Sequence, residues 1–503
     1  MKMTKRLFLG SAASLIALGG AQAADLPVKA KTVEYVTVCT LYGAGFYYIP
    51  GTDTCIKLGG YLRAETTFNT SGHYTPPDSG LGGARNRLSD YFSARSRIDL
   101  SVDTRTATEY GVVRTFAEVA WTYTGGTYSG TGAGGTSYPT SPGNQISQGT
   151  PALYYAFMQF AGFTFGRATS QFSTPWAEYP ANAFELPGAG GWDPINQVAY
   201  TIALGQGVSA SFSAEDPVAH NQLAIWNVSG ATAAGLATGA YGANDFGGSR
   251  APDLIASVTV DQIWGFFKAS LAAHDNHAAY YGATELTGHP DDKWGWAGQL
   301  ALSIKNVPTG QGDTINMSGV YTYGASRYNF HDYTDAPAFA MYGATTVAGA
   351  YQSLALAGVS DSVFVAGSGQ QLTTTFGFQG GYTHNWDPQW ASSIFGAFSA
   401  VRYNDTARGY ICGGFVANLA LSTGVAGCNP SFNYSVIGTR TGWTPVKNLT
   451  FSAELAYTIL DQKHASGSTV TLPLQTSIAK PAGTYELKDQ SALTLLLRAQ
   501  RNF

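Results

Sequence analysis

The sequence has few charged residues and no long apolar run. Charged residues make up 12% of its 503 residues, about half the share that is usual in soluble proteins. No stretch reaches the roughly 18 consecutive apolar residues that a membrane-spanning helix needs, which excludes a helical membrane bundle. The formal net charge of −4 provides no basic surface. Nucleic acid is therefore not an expected partner.

The first 23 residues have the features of an export signal. Cations at the start precede an apolar stretch at 7–18, and Ala21-Gln22-Ala23 forms an A-x-A cleavage site. The alternative, a membrane anchor, needs a longer segment with different flanks. We therefore expect residues 1–23 to be removed and the mature chain to start near Ala24.

The remaining sequence is dominated by stretches in which apolar and polar residues alternate. Lys293–Ile304 and Leu449–Leu460 are clear examples, and the closing segment Ser491–Phe503 follows the same period of two. Such alternation predicts strands with one apolar and one polar face. Short connectors, such as the turn expected at Thr104–Thr108 between the second and third strands, alternate with long connectors, and the count is sixteen strands in eight hairpins.

This pattern predicts an all-β fold, a 16-stranded antiparallel transmembrane β-barrel with short periplasmic turns and long outer loops. A soluble β-sandwich is the alternative, but it gives no reason for the polar faces or for the rhythm of the connectors. In hydrocarbon every backbone group must be paired, and a closed barrel achieves this. We assign residues 24–55 to a periplasmic N-terminal segment and 56–503 to the barrel.

The closing strand is expected to pair with the first strand, Ile56–Phe68, because an open last strand would be an aggregation hazard. As the sixteenth strand it runs toward the periplasm and ends there with Phe503. Its apolar set then faces lipid, Arg501 extends toward the headgroups, and Arg498 faces the lumen.

The four cysteines fit an oxidising compartment and allow three connectivities. Cys412 and Cys428 fall in a predicted outer loop, whereas Cys39 and Cys55 precede the first strand on the periplasmic side. Cross-pairing would have to bridge an apolar band about 25 Å tall. The topology therefore favours the local disulfides Cys39–Cys55 and Cys412–Cys428.

Three segments resemble the alphaproteobacterial porins of the rhizobial type. They are ADLPVKAKTVEYVTVCTLYGAGFYYIPGTDTCIKLGGYLR (Ala24–Arg63), RSRIDLSVDTRTATEYGVVRTF (Arg95–Phe116) and RAQRNF (Arg498–Phe503). The resemblance covers both ends and the strand framework, while the outer loops are individual. It implies a trimeric general diffusion porin of the outer membrane, with a third loop folded into the pore. It also implies that Phe503 is the signal read by the barrel-assembly machinery.

In such a channel the functional residues are those of a charged constriction. The third long connector, Thr169–Asn196, carries acidic residues and no Lys or Arg. The inward faces of the first strands, and the entrance to this connector, carry arginines. The candidate constriction residues are Glu178, Glu185 and Asp193 on the connector and Arg63, Arg95, Arg97, Arg114 and Arg167 on the wall. The alternative is that these arginines only pair with Glu65, Asp99 and Glu118 on the same wall.

The leading function is a passive, water-filled channel for small hydrophilic solutes and ions, and the runner-up is a substrate-specific channel for a sugar or an anion. An enzyme is not expected, because no Ser, His and Asp can be placed on one rim. An adhesin would need a passenger domain before the first strand. His274 and His277 are too few ligands for a metal site, and no cofactor is expected.

The expected partners are two further copies in a homotrimer, outer-membrane lipid and lipopolysaccharide, the barrel-assembly machinery and small solutes.

Overall fold

A closed sheet of sixteen long antiparallel strands forms the centre of the molecule. The computed structural model describes residues 37–69, 83–89, 92–125, 150–175, 181, 186–191, 194–218, 223–330 and 338–503. The strands β1 to β16 span Thr54–Phe68, Phe92–Thr108, Gly111–Gly125, Thr150–Phe160, Phe163–Thr169, Pro194–Gly205, Val208–Glu215, Asp253–Gln262, Gly265–Asn276, Lys293–Lys305, Thr314–Tyr323, Thr374–Asn385, Trp390–Arg402, Phe432–Val446, Leu449–Gln462 and Gln490–Asn502. The predicted fold class is confirmed.

The barrel closes between its last strand and its first. Tyr61 of β1 lies opposite Asn502 of β16, and Phe68 lies opposite Leu495. Strand β1 also pairs with β2, and β16 with β15, so both end strands have two neighbours. The backbone N–H of Phe503 donates to Gly60 O at 3.1 Å, which places the terminal residue beside β1. The predicted seam is confirmed.

One turn lies further along the chain than the sequence pattern predicted. We expected the turn between the second and third strands at Thr104–Thr108, but β2 continues to Thr108 and β3 begins at Gly111. The threonine-rich segment forms cross-strand contacts instead, and Thr106 Oγ1 lies 2.8 Å from Thr54 Oγ1. Arg105 is therefore a strand residue on the same side of the sheet as Arg95 and Arg97.

The two faces of the barrel differ as the alternation predicted. Leu58 is 69% exposed and Leu62 is 56% exposed on the outer face of β1, whereas Glu65 on the inner face is 4% exposed. Tryptophans lie near strand ends, and the rings of Trp390 and Trp443 stack with their centroids 5.8 Å apart. This position is typical of the aromatic girdles of membrane barrels. No helix in the described ranges is long and apolar enough to span a membrane.

The long outer connectors contain secondary structure of their own. Short strands lie at Ile225–Asn227, Ala243–Asn244, Ala338–Gly343, Ser353–Gly358, Ser362–Phe364, Gln371–Leu372, Thr469–Leu472 and Gly483–Leu487, and Tyr47–Tyr48 precedes β1. The helices are Ala233–Leu236, Arg327–Phe330 and Asp405–Leu419, with 3-10 turns at Val228–Gly230, Val425–Gly427 and Thr476–Ile478. Asn404 caps the longest helix, because its Oδ1 accepts the N–H of Ala407 at 2.8 Å.

These connectors fold back over the inner face of β13 to β16 and bury a shared apolar core there. Phe339 of an outer connector packs against Phe432 and Tyr434 of β14, with both ring centroids 5.6 Å away. Trp226 packs on Tyr241 at 4.9 Å within the same core. We call this assembly of the connectors at 223–250, 338–373, 403–431 and 463–489 the outer cap.

Candidate pore constriction

The third long connector, between β5 and β6, folds into the barrel and is fastened to the inner wall. Phe172 is fully buried, and its carbonyl oxygen accepts hydrogen bonds from Ser270 Oγ at 2.9 Å and from Gln299 Nε2 at 3.0 Å. Lys268 Nζ donates to Ser173 O at 2.7 Å. These partners lie on β9 and β10, so the predicted inward-folded loop is confirmed.

The same connector approaches a second part of the wall at Gly188. This residue has φ +103°, and a Cβ there would lie 2.5 Å from the backbone carbon of Phe378 on β12. Its N–H donates to Asn329 O at 3.0 Å. Only glycine fits both this backbone conformation and this close approach, so the position fixes how deeply the connector enters the barrel.

A buried carboxylate network lies near the outer ends of β8 and β9, beside the inward loop. Asp253 Oδ1 lies 2.7 Å from His274 Nδ1, and Asp253 Oδ2 accepts from Tyr328 Oη at 2.7 Å. Asp361, from the connector after β11, accepts the N–H of Ser326 at 2.5 Å and lies 3.8 Å from His274 Nε2. Burial raises the pKa of Asp361 to about 6, although the nearby His274 opposes this shift.

On the opposite side of the ring, Glu65 of β1 is the centre of a buried cationic cluster. Arg95 Nη2 lies 2.5 Å from Glu65 Oε1, Arg498 Nη2 lies 3.3 Å from Oε2, and Arg63 Nε lies 3.6 Å from Oε1. These three arginines therefore do pair with Glu65 on the same wall, as the alternative interpretation expected. Asp99 of β2 and Glu118 of β3 lie on the same inner face, and the four arginines Arg63, Arg95, Arg97 and Arg498 outnumber these three acidic residues, Glu65 included.

A second cluster lies closer to the short turns. Asp103 Oδ2 is 2.9 Å from Arg105 Nη2 and 3.0 Å from Arg114 Nη2, and both arginine side chains are 29% exposed. The Arg114 guanidinium also lies over the ring of Phe116 at 5.2 Å and over that of Phe157 at 5.4 Å. Guanidinium groups and aromatic rings thus alternate along this part of the wall.

Two predicted arginines bind chiefly to neighbouring strands. Arg97 Nε donates to Thr122 Oγ1 at 2.8 Å, and its guanidinium lies over the ring of Tyr154 at 5.5 Å. Arg167 Nε donates to the carbonyl oxygens of Leu153 and Tyr154 at 3.0 and 3.1 Å. Arg97 thus belongs with Arg63, Arg95 and Arg498, and we call these four residues the arginine wall. Arg167 is instead held against β4.

The structure brings Arg63 and Arg95 into one cluster and places Arg114 in another. Two cations missing from the predicted set join them. Arg498 was assigned to the lumen but not to the constriction, and Arg105 was assigned to a turn. Both residues lie on the same inner face of the strands as the predicted arginines. This position in the alternating pattern was the signal that could have identified them. Glu178, Glu185 and Asp193 lie outside the described residues.

The cysteines and histidines have local partners. Cys39 joins Cys55, and Cys412, in the middle of the helix Asp405–Leu419, joins Cys428. His277 Nδ1 lies 2.7 Å from Asp292 Oδ1, the same distance that separates His274 Nδ1 from Asp253 Oδ1. Within the described ranges, no three His, Cys, Asp or Glu residues are grouped as metal ligands.

A closed barrel with an inward loop and an arginine-bearing inner wall defines the class of outer-membrane channels. Residues 25–496 match the porin subfamily model, so the chain belongs to this porin family. The family and the barrel together make it an outer-membrane protein, and the predicted family is confirmed.

Porins from Brucella are similar to this chain in sequence. The chain is 35% identical to Porin Omp2b of Brucella suis biovar 1 (strain 1330) over 215 residues, which cover 42% of this chain and 53% of that protein. Porin Omp2b of Brucella melitensis biotype 1 matches with the same identity and coverage. The match thus spans about half the length of these curated relatives.

A solved structure shares the fold. The outer membrane channel DcaP of Acinetobacter baumannii superposes with a TM-score of 0.54 at 15% identity, covering 91% of this chain and 99% of that one. At this identity the similarity concerns the fold, and the roles of individual side chains have to be argued from their contacts.

Proposed function

We propose that this protein forms a water-filled channel through which small hydrophilic solutes and ions diffuse passively across the outer membrane. The observation that carries the proposal is a closed barrel whose inward loop is fastened to β9 and β10, opposite an inner wall of arginines. Membership of the porin family supports the same function, and the assembly that we propose for it is a homotrimer.

The constriction lies between the arginine wall and the inward loop. Arg63, Arg95, Arg97 and Arg498 outnumber the acids Glu65, Asp99 and Glu118 on the same inner face, so this part of the wall has an excess of cationic side chains, and a narrow, partly dry passage screens their charge poorly. Glu178, Glu185 and Asp193 of the loop supply the opposite charge. The resulting transverse field orients polar solutes and selects among ions.

The solute path is displaced toward β1 to β4. The outer cap packs on the inner face of β13 to β16, where Phe339 and Leu356 are buried with strand residues such as Tyr434. An apolar core holds no water path, so solutes pass along the side that carries the arginines. This position makes the arginines the residues that a passing ion meets.

The remaining partners follow from the location. The outward apolar face contacts outer-membrane lipid, and the outer connectors face lipopolysaccharide. Phe503 serves as the signal for the barrel-assembly machinery. Its N–H bond to Gly60 O, at 3.1 Å, places it at the seam that assembly has to close.

A substrate-specific channel for an anion or a sugar is the second candidate. The observation that favours it is the close contact between cations and rings on the inner wall. Arg63 lies over the Tyr61 ring at 4.4 Å, and Arg97 lies over the Tyr154 ring at 5.5 Å. Such a surface offers an anion a charge and offers a sugar a flat apolar face.

Planar-bilayer recording of the purified protein tests both candidates. A general diffusion channel gives a single-channel current that rises in proportion to salt concentration, with a reversal potential in a salt gradient set by the arginine wall. A substrate-specific channel gives a saturating current that millimolar solute blocks. The absence of stepwise conductance from folded, heat-modifiable protein would overturn both candidates.

A further inference from the structure

A short hairpin precedes β1 and continues the barrel wall at its periplasmic end. We call residues 37–53 the N-terminal hairpin. Tyr48 pairs with Cys55 and Tyr47 pairs with Ile56, so the hairpin extends the sheet beyond the end of β16. Cys39 N donates to Phe46 O at 2.9 Å, which closes the hairpin.

The disulfide shows which face of the hairpin is turned toward the inside of the barrel. Cys55 has the same parity along β1 as Glu65, and it pairs directly with Arg105 of β2. Because side chains alternate between the two faces of a strand, Cys55 points to the inner side. Its partner Cys39, fully buried, is therefore tethered there as well.

Two aromatic side chains of the hairpin cover two cations of the wall. The Arg105 guanidinium lies 4.9 Å from the centroid of the Phe46 ring and 5.7 Å from that of Tyr42. Lys57 Nζ lies 5.8 Å from the Phe46 centroid. Phe46 itself is 3% exposed, so the wall holds its ring in place. In contrast, Tyr47 points to the other face and is 45% exposed.

We propose that the disulfide-closed N-terminal hairpin is a second selectivity element, in which Tyr42 and Phe46 cover Arg105 and Lys57 at the periplasmic mouth. This inference rests on the proposed channel function. A ring over a cation replaces part of its water and reduces the attraction that it exerts on a passing anion. The hairpin therefore weakens the electrostatic attraction of anions at this mouth. The electric field of the arginine wall, deeper in the pore, is unchanged.

The test is bilayer recording of oriented channels carrying Phe46→Ala or Tyr42→Ala. Each substitution uncovers a cation, so we expect the anion-to-cation permeability ratio to rise about two- to fivefold, the range for an exposed cation–π contact. The rise should be larger when anions enter from the periplasmic side. Tyr47→Ala, on the opposite face of the same hairpin, is the matched control and should leave the ratio unchanged.

Two further variants separate covering from folding. Phe46→Trp keeps a ring over the cations and should retain the wild-type ratio. Arg105→Gln combined with Phe46→Ala should cancel most of the increase, because the uncovered charge is then absent. As an independent route, Cys39→Ser combined with Cys55→Ser removes the disulfide that holds the hairpin and should reproduce the effect of Phe46→Ala.

The outcomes distinguish this inference from the channel function itself. If the wild-type protein forms no conducting pore, the proposed function fails. If it conducts, but Phe46→Ala and Tyr42→Ala match Tyr47→Ala in ratio and in rectification, the second selectivity element is refuted.

Discussion

Arg498 and Glu65, 433 positions apart in the chain, meet across the barrel seam with Nη2 and Oε2 3.3 Å apart. Both side chains are at least nine-tenths buried, and Arg95 reaches the same carboxylate. This contact joins the last strand to the first and also belongs to the arginine wall. Closure of the barrel and the charge of the pore therefore depend on the same side chains.

The first prediction concerns this carboxylate. Glu65→Gln leaves three guanidinium groups without their shared counter-charge, so we expect a loss of about 3–5 kcal/mol in unfolding free energy. The temperature at which the folded band unfolds on a detergent gel should fall clearly. Glu109→Gln, in the exposed turn after β2, is the control and should leave that temperature unchanged.

The second prediction concerns ion selectivity. Arg95→Gln with Arg97→Gln removes two cations from the inner wall, so the reversal potential in a salt gradient should shift toward cation preference. Arg501→Gln is the matched control, because that guanidinium lies on the outer face and donates to Lys447 O. Arg95→Lys with Arg97→Lys keeps the charge and checks that folding is intact. An unchanged reversal potential in the Gln variant would remove these residues from the constriction.

The strand framework could be predicted from the sequence because alternation with a period of two is a local property. The same alternation placed Arg63 and Arg95 on the inner wall. It failed at Arg105, because a run of threonines and charged residues is equally typical of a turn and of a polar strand end. Which reading holds depends on cross-strand partners such as Thr54 and Thr106, and these are set by register rather than composition.

The outer cap could not be predicted for a different reason. Phe339 packs against Phe432 of β14, and Tyr241 packs against Phe415, yet Phe339, Tyr241 and Phe415 come from connectors with no periodic pattern. Their core forms between segments that are distant in the chain, and a single sequence contains no signal for that pairing. The same holds for the contact of His274 with Asp253 and Asp361.

A third prediction concerns the anchor of the inward loop. Phe172→Ala removes a buried ring that packs on Tyr328 with centroids 4.5 Å apart, at a local cost of about 3–5 kcal/mol. The loop should then leave the wall part of the time, which raises the mean conductance and the open-channel noise. Phe165→Ala, on the lipid-facing side of β5, removes the same ring and should change neither quantity. Equal noise in both variants would contradict the anchoring role.

The last prediction concerns the acid response of the outer cap. His464 packs beside Phe415 with ring centroids 5.6 Å apart, and its Nδ1 accepts the N–H of Asn429 at 3.3 Å. Burial lowers the pKa of His464 to about 4. The folded cap therefore favours the neutral ring, and the stability that this preference contributes is complete above the unfolded pKa near 6.5. It declines as the pH falls from there toward 4, by about 2 kcal/mol at pH 5.

Limited proteolysis of the outer connectors between pH 7.5 and 4.5 should thus show faster cleavage at the acid end. His464→Gln has no proton to gain in this range, so its cleavage rate should depend less on pH. His289→Gln is the control. A hydrogen bond to the Pro290 carbonyl raises the pKa of His289, so protonation of this ring at acid pH does not destabilise the folded state. If His464→Gln and His289→Gln show the same acid response as the wild type, protonation of His464 does not open the cap.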